Sequence, residues 1–247
     1  TVPLKPLSAA EAVLVTASIE LVVQANARPL EGSLAVRRAL PTAQRRLVGP
    51  FIFFDHFGPT SMPPGEGLDV RPHPHIGLAT LTYLLEGTFM HRDSLGNELA
   101  IRAGAVNLMT AGRGIVHSER TGPEERASGQ RMHGTQLWLA LSLASEDCEP
   151  SFRHYDASEI PEASVPGVAL RVVAGEAYGV RSPVQTDTRT LYVDARMSPG
   201  ATLAVPDGYE ERAAYVAQGA VRCGGRRFEQ GALVVFTAGA SVELTAD

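Results

Sequence analysis

At 247 residues, with hydrophobic side chains making up 44% of them, the chain has length enough to bury the core of one large or two ordinary domains, and disorder is excluded as its default state. A formal net charge of −5 without any long Lys/Arg run argues against charge-driven binding of nucleic acid or of an acidic membrane surface. The two cysteines, Cys148 and Cys223, form at most one disulfide, so nothing calls for an oxidising compartment.

The start, Thr1 to Lys5, lacks the basic, apolar and small-residue regions of a secretory leader. Glu11 and Glu20 interrupt the most apolar stretch that follows, and a cytoplasmic location is the expectation. Ser8-Ala9-Ala10-Glu11 predicts a capped helix start. That helix is short, because Val13, Leu14, Val15, Ile19, Leu21, Val22 and Val23 favour a strand or two laid onto the main body. Arg37, Arg38, Arg45 and Arg46, with Arg28 upstream, predict a solvated basic face. Phe51 to Phe54 predicts a buried strand, and Pro59 to Gly67 a loop leading out of it.

Next comes Arg71-Pro72-His73-Pro74-His75-Ile76-Gly77. Side chains two residues apart on a strand share a face, so His73 and His75 form a same-face pair, as do His117 and Glu119 further on. Two neighbouring strands carrying these pairs would converge three imidazoles and a carboxylate. Helical spacing would not do so, and Pro72 and Pro74 argue against helix. Imidazole mixed with carboxylate and free of cysteine suits iron, copper, nickel, manganese or zinc in a reactive site rather than structural zinc. Three His and one Glu leave an octahedral ion two open positions, and because the rings ligate only when neutral, binding should weaken below about pH 6.5.

Between the pairs, Leu78 to Leu85, Phe89 to Arg92 and Glu98 to Arg102 read as strands, with Asp93-Ser94-Leu95-Gly96-Asn97 as a hairpin loop. Strands this short, with turns this frequent, predict an antiparallel barrel or sandwich. Thr121 to Arg131 reads as a surface loop or a lid. Phe53, Met109 and Trp138 are candidates for an apolar pocket or for ordinary core, while His91, His133 and His154 read as structural. Later, Tyr215 to Val221 echoes Tyr83 to Phe89, and Gly231 to Val235 echoes Gly104 to Leu108, so the chain is expected to contain one unit twice. In the second copy the ligand positions fall on Val205, Asp207, Leu244 and Ala246, and no metal is expected there.

The segments Phe54-Asp55-His56-Phe57-Gly58-Pro59, His73-Pro74-His75, His91 to Asn97, Thr110 to Glu119 and His133 to Leu139 together resemble pirin and its bacterial relatives within the cupin superfamily. The usual cupin glutamate would lie at Ala79 or Thr80; in the pirin pattern the acid comes instead from His-x-Glu, here His117-Ser118-Glu119. The resemblance implies an all-β fold of two tandem cupin barrels (double-stranded β-helix or jelly-roll), one over residues 1–145 and a second, metal-free one over 146–247. A chain of this kind is expected to continue beyond Asp247.

The same resemblance implies a divalent metal on His73, His75, His117 and Glu119, with Fe(II) first and copper, nickel, manganese, cobalt or zinc as alternatives. Glu119 would double as catalytic proton acceptor, and Asp55 and His56 are candidates for orienting the ligands. The implied activity is 2,3-dioxygenation of quercetin-like flavonols with O2. Two other readings stand beside it: an iron-containing, redox-sensing regulatory protein that binds a protein partner, and a small-ligand-binding cupin with an idle metal.

Overall fold

The computed structural model describes residues 18–31 and 34–247. The capped helix start at Ser8 to Glu11 and the strand residues Val13 to Val15 lie outside them. Among the described residues the chain is almost wholly antiparallel β-sheet, as its short apolar runs and frequent turns predict. The N-terminal strands are β1 (Ile19–Gln24), β2 (Ala27–Glu31), β3 (Leu34–Leu40), β4 (Phe51–Met62), β5 (Asp69–His75) and β6 (Leu78–Glu86). They are followed by β7 (Thr88–Asp93), β8 (Glu98–Arg102), β9 (Val106–Thr110), β10 (Ile115–Arg120), helix α1 (Pro123–Ser128), β11 (Gln130–Ala140) and β12 (Ser151–Tyr155).

The remaining strands are β13 (Glu162–Val165), β14 (Val168–Ala174), β15 (Glu176–Ala177), β16 (Val180–Arg181), β17 (Tyr192–Met197) and β18 (Thr202–Ala204). Last come β19 (Ala213–Tyr215), β20 (Ala220–Cys223), β21 (Arg226–Glu229), β22 (Ala232–Phe236) and β23 (Glu243–Ala246). The main sheets are seven-stranded, in the order β12-β9-β6-β11-β4-β3-β2, and four-stranded, in the order β5-β10-β7-β8. The expectation of closed barrels needs correcting here, because none of the described sheets closes on itself. The seven-stranded ladder ends at β12 and β2, and the four-stranded one at β5 and β8.

Strand periodicity gives the seven-stranded sheet two different faces. On one, Phe54, Leu81, Leu108, Leu137 and Leu139 pack with Val173, Ala174, Leu233 and Val235 of the C-terminal half into a shared core. On the other, Thr82 lies opposite Gln136 and Asn107, and Thr80 opposite Trp138 and Met109. Asp55 and Phe53 of β4 continue this second face opposite Gln136 and Trp138. It is the face turned to the four-stranded sheet.

The internal echo has a structural counterpart. Tyr83 pairs with Val106 between β6 and β9, and Tyr215 pairs with Leu233 between β19 and β22. These are the residues that the two echoes match to one another. The N-terminal strand crosses to the other half: β1 pairs with β22, from Ile19 opposite Phe236 to Gln24 opposite Ala232. In the reverse sense β12, past residue 150, completes the N-terminal sheet by pairing with β9. The arginines read as a solvated face are partly engaged, since Arg45 reaches both Glu20 and Glu211 and Arg38 grips Asp55. The segment read as loop or lid contains helix α1, tied to β5 by Arg126 and Asp69 at 2.7 Å.

Candidate metal centre

β5 is an edge strand, which is where a strand carrying Pro72 and Pro74 can sit without leaving a ladder bond unmade. It pairs with β10 so that His73 lies opposite His117 and His75 opposite Ile115. The next ladder pair is Val70 with Glu119, so β5 carries one extra residue at Arg71 and Pro72, a bulge at the site. The consequence is a convergence of rings. His117 Nε2 lies 3.0 Å from His73 Nε2 and 3.1 Å from His75 Nε2, and the donor atoms of all three lie within 4.8 Å of one another.

Those separations carry information. Metal–nitrogen bonds of about 2.0–2.1 Å put nitrogens about 2.8–3.0 Å apart at a right angle and about 3.3–3.4 Å apart in a tetrahedron. The separations of 3.0 and 3.1 Å lie nearer to adjacent corners of an octahedron than to those of a tetrahedron. The tautomers agree: His73 Nδ1–H donates to the Arg71 carbonyl at 2.8 Å, leaving Nε2 as a lone pair. His117 is set by a longer chain. Asp93 can only accept from His91 Nε2–H at 3.0 Å, so His91 Nδ1 is an acceptor, and at 3.5 Å it faces His117 Nδ1–H. The Nε2 atoms of His73 and His117 therefore present lone pairs to one another, an arrangement that a cation between them stabilises.

Burial, reinforced by the neighbouring rings, pushes His117 down to about 3, and burial followed by proximity to His73 takes His75 to about 4. Both rings are thus neutral and ready to ligate near pH 7. Trp138 stands edge-on to His75 at 5.1 Å and stacks on Phe53 at 4.1 Å, and Arg38 caps that ring at 4.3 Å. Phe53 and Trp138 therefore buttress a ligand, while Met109 packs with Ala111, Ile115 and Phe152.

Glu119 is not brought into the three-ring cluster. It shares the inward face of β10 and is buried, but its carboxyl meets the Thr82 hydroxyl, which bonds the Gln136 side-chain oxygen at 2.6 Å. Burial raises its pKa to about 7, against the lowering effect of Thr82.

Asp55 and His56, expected to orient the ligands, have their hydrogen bonds elsewhere. Asp55 receives two bonds of 2.9 Å from Arg38. His56 lies on the opposite face of the sheet, where its Nε2 meets His133 Nε2 at 2.8 Å and its Nδ1 meets the Tyr215 hydroxyl at 3.1 Å. The reason is strand parity: adjacent residues of β4 point to opposite faces.

The supporting histidine is His91, read from the sequence as structural. It stacks on Phe152 of β12 at 4.2 Å and hands His117 to Asp93. Burial works against ionisation of Asp93, but hydrogen bonds from His91, Asn97 and the Leu95 amide outweigh it and hold the carboxyl below its usual range. The signal was present in the sequence: His91 and Asp93 stand two apart, the spacing of the ligand pairs.

Comparison with known proteins gives a consistent set. The family model described as Pirin matches residues 33–139. A pirin-like protein of Caulobacter vibrioides is 46% identical over 91% of this chain and 78% of its own. The crystal structure of a quercetin 2,3-dioxygenase from Acinetobacter baumannii superposes with a TM-score of 0.85 at 35% identity, over 92% of this chain and 75% of that one. Human pirin is 40% identical over 69% of this chain, which spans only 56% of the human protein.

Proposed function

This chain belongs to the pirin family, and on that premise we propose that it is a metal-dependent oxidoreductase acting on quercetin-like flavonols with O2. The observation that carries the reading is the meeting of three histidines, with His117 Nε2 3.0 Å from His73 Nε2 and 3.1 Å from His75 Nε2. The likeness to the Acinetobacter baumannii quercetin 2,3-dioxygenase supports the substrate class. We also read the open sheets as two cupin units, broadly 1–145 and 146–247, with the metal in the first. The free thiols Cys148 and Cys223 suit a reducing, cytoplasmic compartment.

His73, His75 and His117 would hold the ion, and the donor set suits Fe(II) or a neighbouring transition metal. Bound there, the ion supplies Lewis-acid and redox chemistry toward an oxygen-rich aromatic and O2. The rest falls to the protein. With a pKa raised by burial to about 7, Glu119 is matched to neutral pH as acceptor of a substrate hydroxyl proton. In this reading Glu119, on the same face of β10 as His117, would supply a fourth ligand. His91 and Asp93 hold the His117 ring in one orientation.

The test is oxygen uptake with quercetin by protein of known metal content, with Glu119→Gln beside it. Metal-dependent uptake by the wild type is expected, reduced at least about a hundredfold in the variant, the scale of losing a general base, with the fold unchanged by circular dichroism. No uptake from protein fully loaded with iron, and again with nickel or copper, sinks the dioxygenase reading and leaves the metal site standing.

A further inference from the structure

The three histidine rings of the site are not held alike. His73 is fixed through Nδ1 by the Arg71 carbonyl, and His117 through Nδ1 by His91 and, behind it, Asp93. Among the described residues no hydrogen bond reaches His75 Nδ1; its ring makes one through Nε2, to His117. Outside the cluster, its aromatic neighbour is Trp138, edge-on at 5.1 Å. A ligand without a hydrogen bond behind it depends on packing for its orientation.

Trp138 is the near end of a row. Its indole and the Phe53 ring have centroids 4.1 Å apart and planes 12° apart, and the Arg38 guanidinium lies over Phe53 at 4.3 Å. The ladder imposes this order, since Trp138 stands opposite Phe53 and Arg38 opposite Asp55. Phe53 is buried and close-packed between its two neighbours. At the far end Asp55 grips Arg38 twice, Nε donating to Oδ1 and Nη2 to Oδ2, both at 2.9 Å. Two parallel bonds fix the plane of a guanidinium as well as its position. The Arg38 side chain is 37% exposed and that of Asp55 10%, so the row runs from solvent to a metal ligand.

We infer that Arg38, Phe53 and Trp138, clamped by Asp55, are positioning residues for the metal: the row holds the His75 ring in its ligating orientation, as hydrogen bonds hold the other two. The inference rests on the metal site of the reading above and not on the flavonol. It gives Asp55 a part in orienting a ligand, through a row of contacts rather than by a bond of its own. His75 is then the ligand most open to disturbance from the surface, because each contact in the row is individually weak and the next depends on it.

The probe is Cu(II), loaded into the full chain without substrate and read by electron paramagnetic resonance, with affinity from chelator competition. The wild type should give one Cu(II) spectrum with imidazole couplings. Trp138→Leu keeps an apolar side chain but no flat ring. A second spectrum with fewer nitrogen couplings should appear beside the first, and Cu(II) affinity should fall at least about tenfold, the scale of losing a ligand's support. Trp138→Phe keeps a ring and should keep the single spectrum. Arg38→Lys keeps the charge beside Asp55 but loses the flat fork, and should shift spectrum and affinity in the same direction by less. Circular dichroism and urea unfolding check that each variant is folded.

A wild-type spectrum and affinity in Trp138→Leu overturn the inference. So does equal disturbance in Trp138→Phe and Trp138→Leu, which assigns the effect to lost volume. Arg38→Lys protein identical to the wild type also overturns it, since the row then does not reach the surface, and this variant decides alone if Trp138→Leu does not fold. A wild type that shows no imidazole-coupled Cu(II) overturns the metal site itself.

Discussion

The His117 ring is held at both ends, with Nε2 toward the other two histidines and Nδ1 toward His91 and, through it, Asp93. Replacing His91 by Phe keeps an aromatic ring against Phe152 and removes the acceptor behind His117. Metal affinity should fall about 10- to 100-fold, the usual effect of deleting a ligand's hydrogen-bond partner, whereas His117→Ala should lose the metal outright; chelator competition measures both. Unchanged affinity in His91→Phe would remove His91 from the site. The two-residue spacing made His73, His75 and His117 legible in the sequence, because strand parity alone puts such pairs on one face. The same parity separates the neighbours Asp55 and His56: Asp55 shares the face of Phe53 and bonds Arg38, whereas His56 takes the opposite face and meets His133 and Tyr215.

The turn before β10 decides where His117 stands. Gly112 has φ of +50°, and a Cβ there would lie 2.1 Å from the Cys148 carbonyl oxygen. Arg113 N donates to that same carbonyl at 3.0 Å, and Gly77 N bonds the Gly112 carbonyl, joining this turn to the one that follows His75. Gly112→Ala must therefore displace one backbone from the other. We expect a loss of about 1–3 kcal/mol in urea unfolding, together with substoichiometric metal; full stability would show that the loop around Cys148 simply moves aside. The sequence does not name this partner, because Cys148 lies in a different connection. The same limit applies to β4, predicted over Phe51 to Phe54 and observed from Phe51 to Met62: local propensity marks the apolar start, while pairing with β11 carries the strand on.

The two halves of the chain are joined by a packed interface with polar groups inside it. His56 bonds His133 and Tyr215, Thr135 bonds the Tyr192 hydroxyl at 2.8 Å, and Tyr83 donates to Asp194 at 3.1 Å. Burial first, then the proximity of His133 and Arg37, lowers His56 from 6.5 to about 3. A ring that folds neutral stabilises fully above its ordinary pKa and less and less as pH falls from 6.5 toward 3. The unfolding free energy of the wild type, from urea titrations, should therefore drop below pH 6.5, by about 1.4 kcal/mol per pH unit for each such ring. His56→Gln should be weaker at pH 7.5 and decline less steeply; an equal slope would place the acid sensitivity elsewhere. The all-β class was legible from turn spacing. The exchange of edge strands was not, because β1 has no local mark of a partner so distant in the sequence.

That exchange has a consequence in time. On a ribosome adding about 5–20 residues each second, β1 emerges long before Ala232 to Phe236, the strand it pairs with. For on the order of ten seconds or more its Leu21, Val22 and Val23 have no native neighbour to cover them. The nascent chain thus carries an early, sticky ribbon through most of its own synthesis, and the yield of native protein in a cell should depend on what shelters that ribbon as much as on the stability of the finished fold.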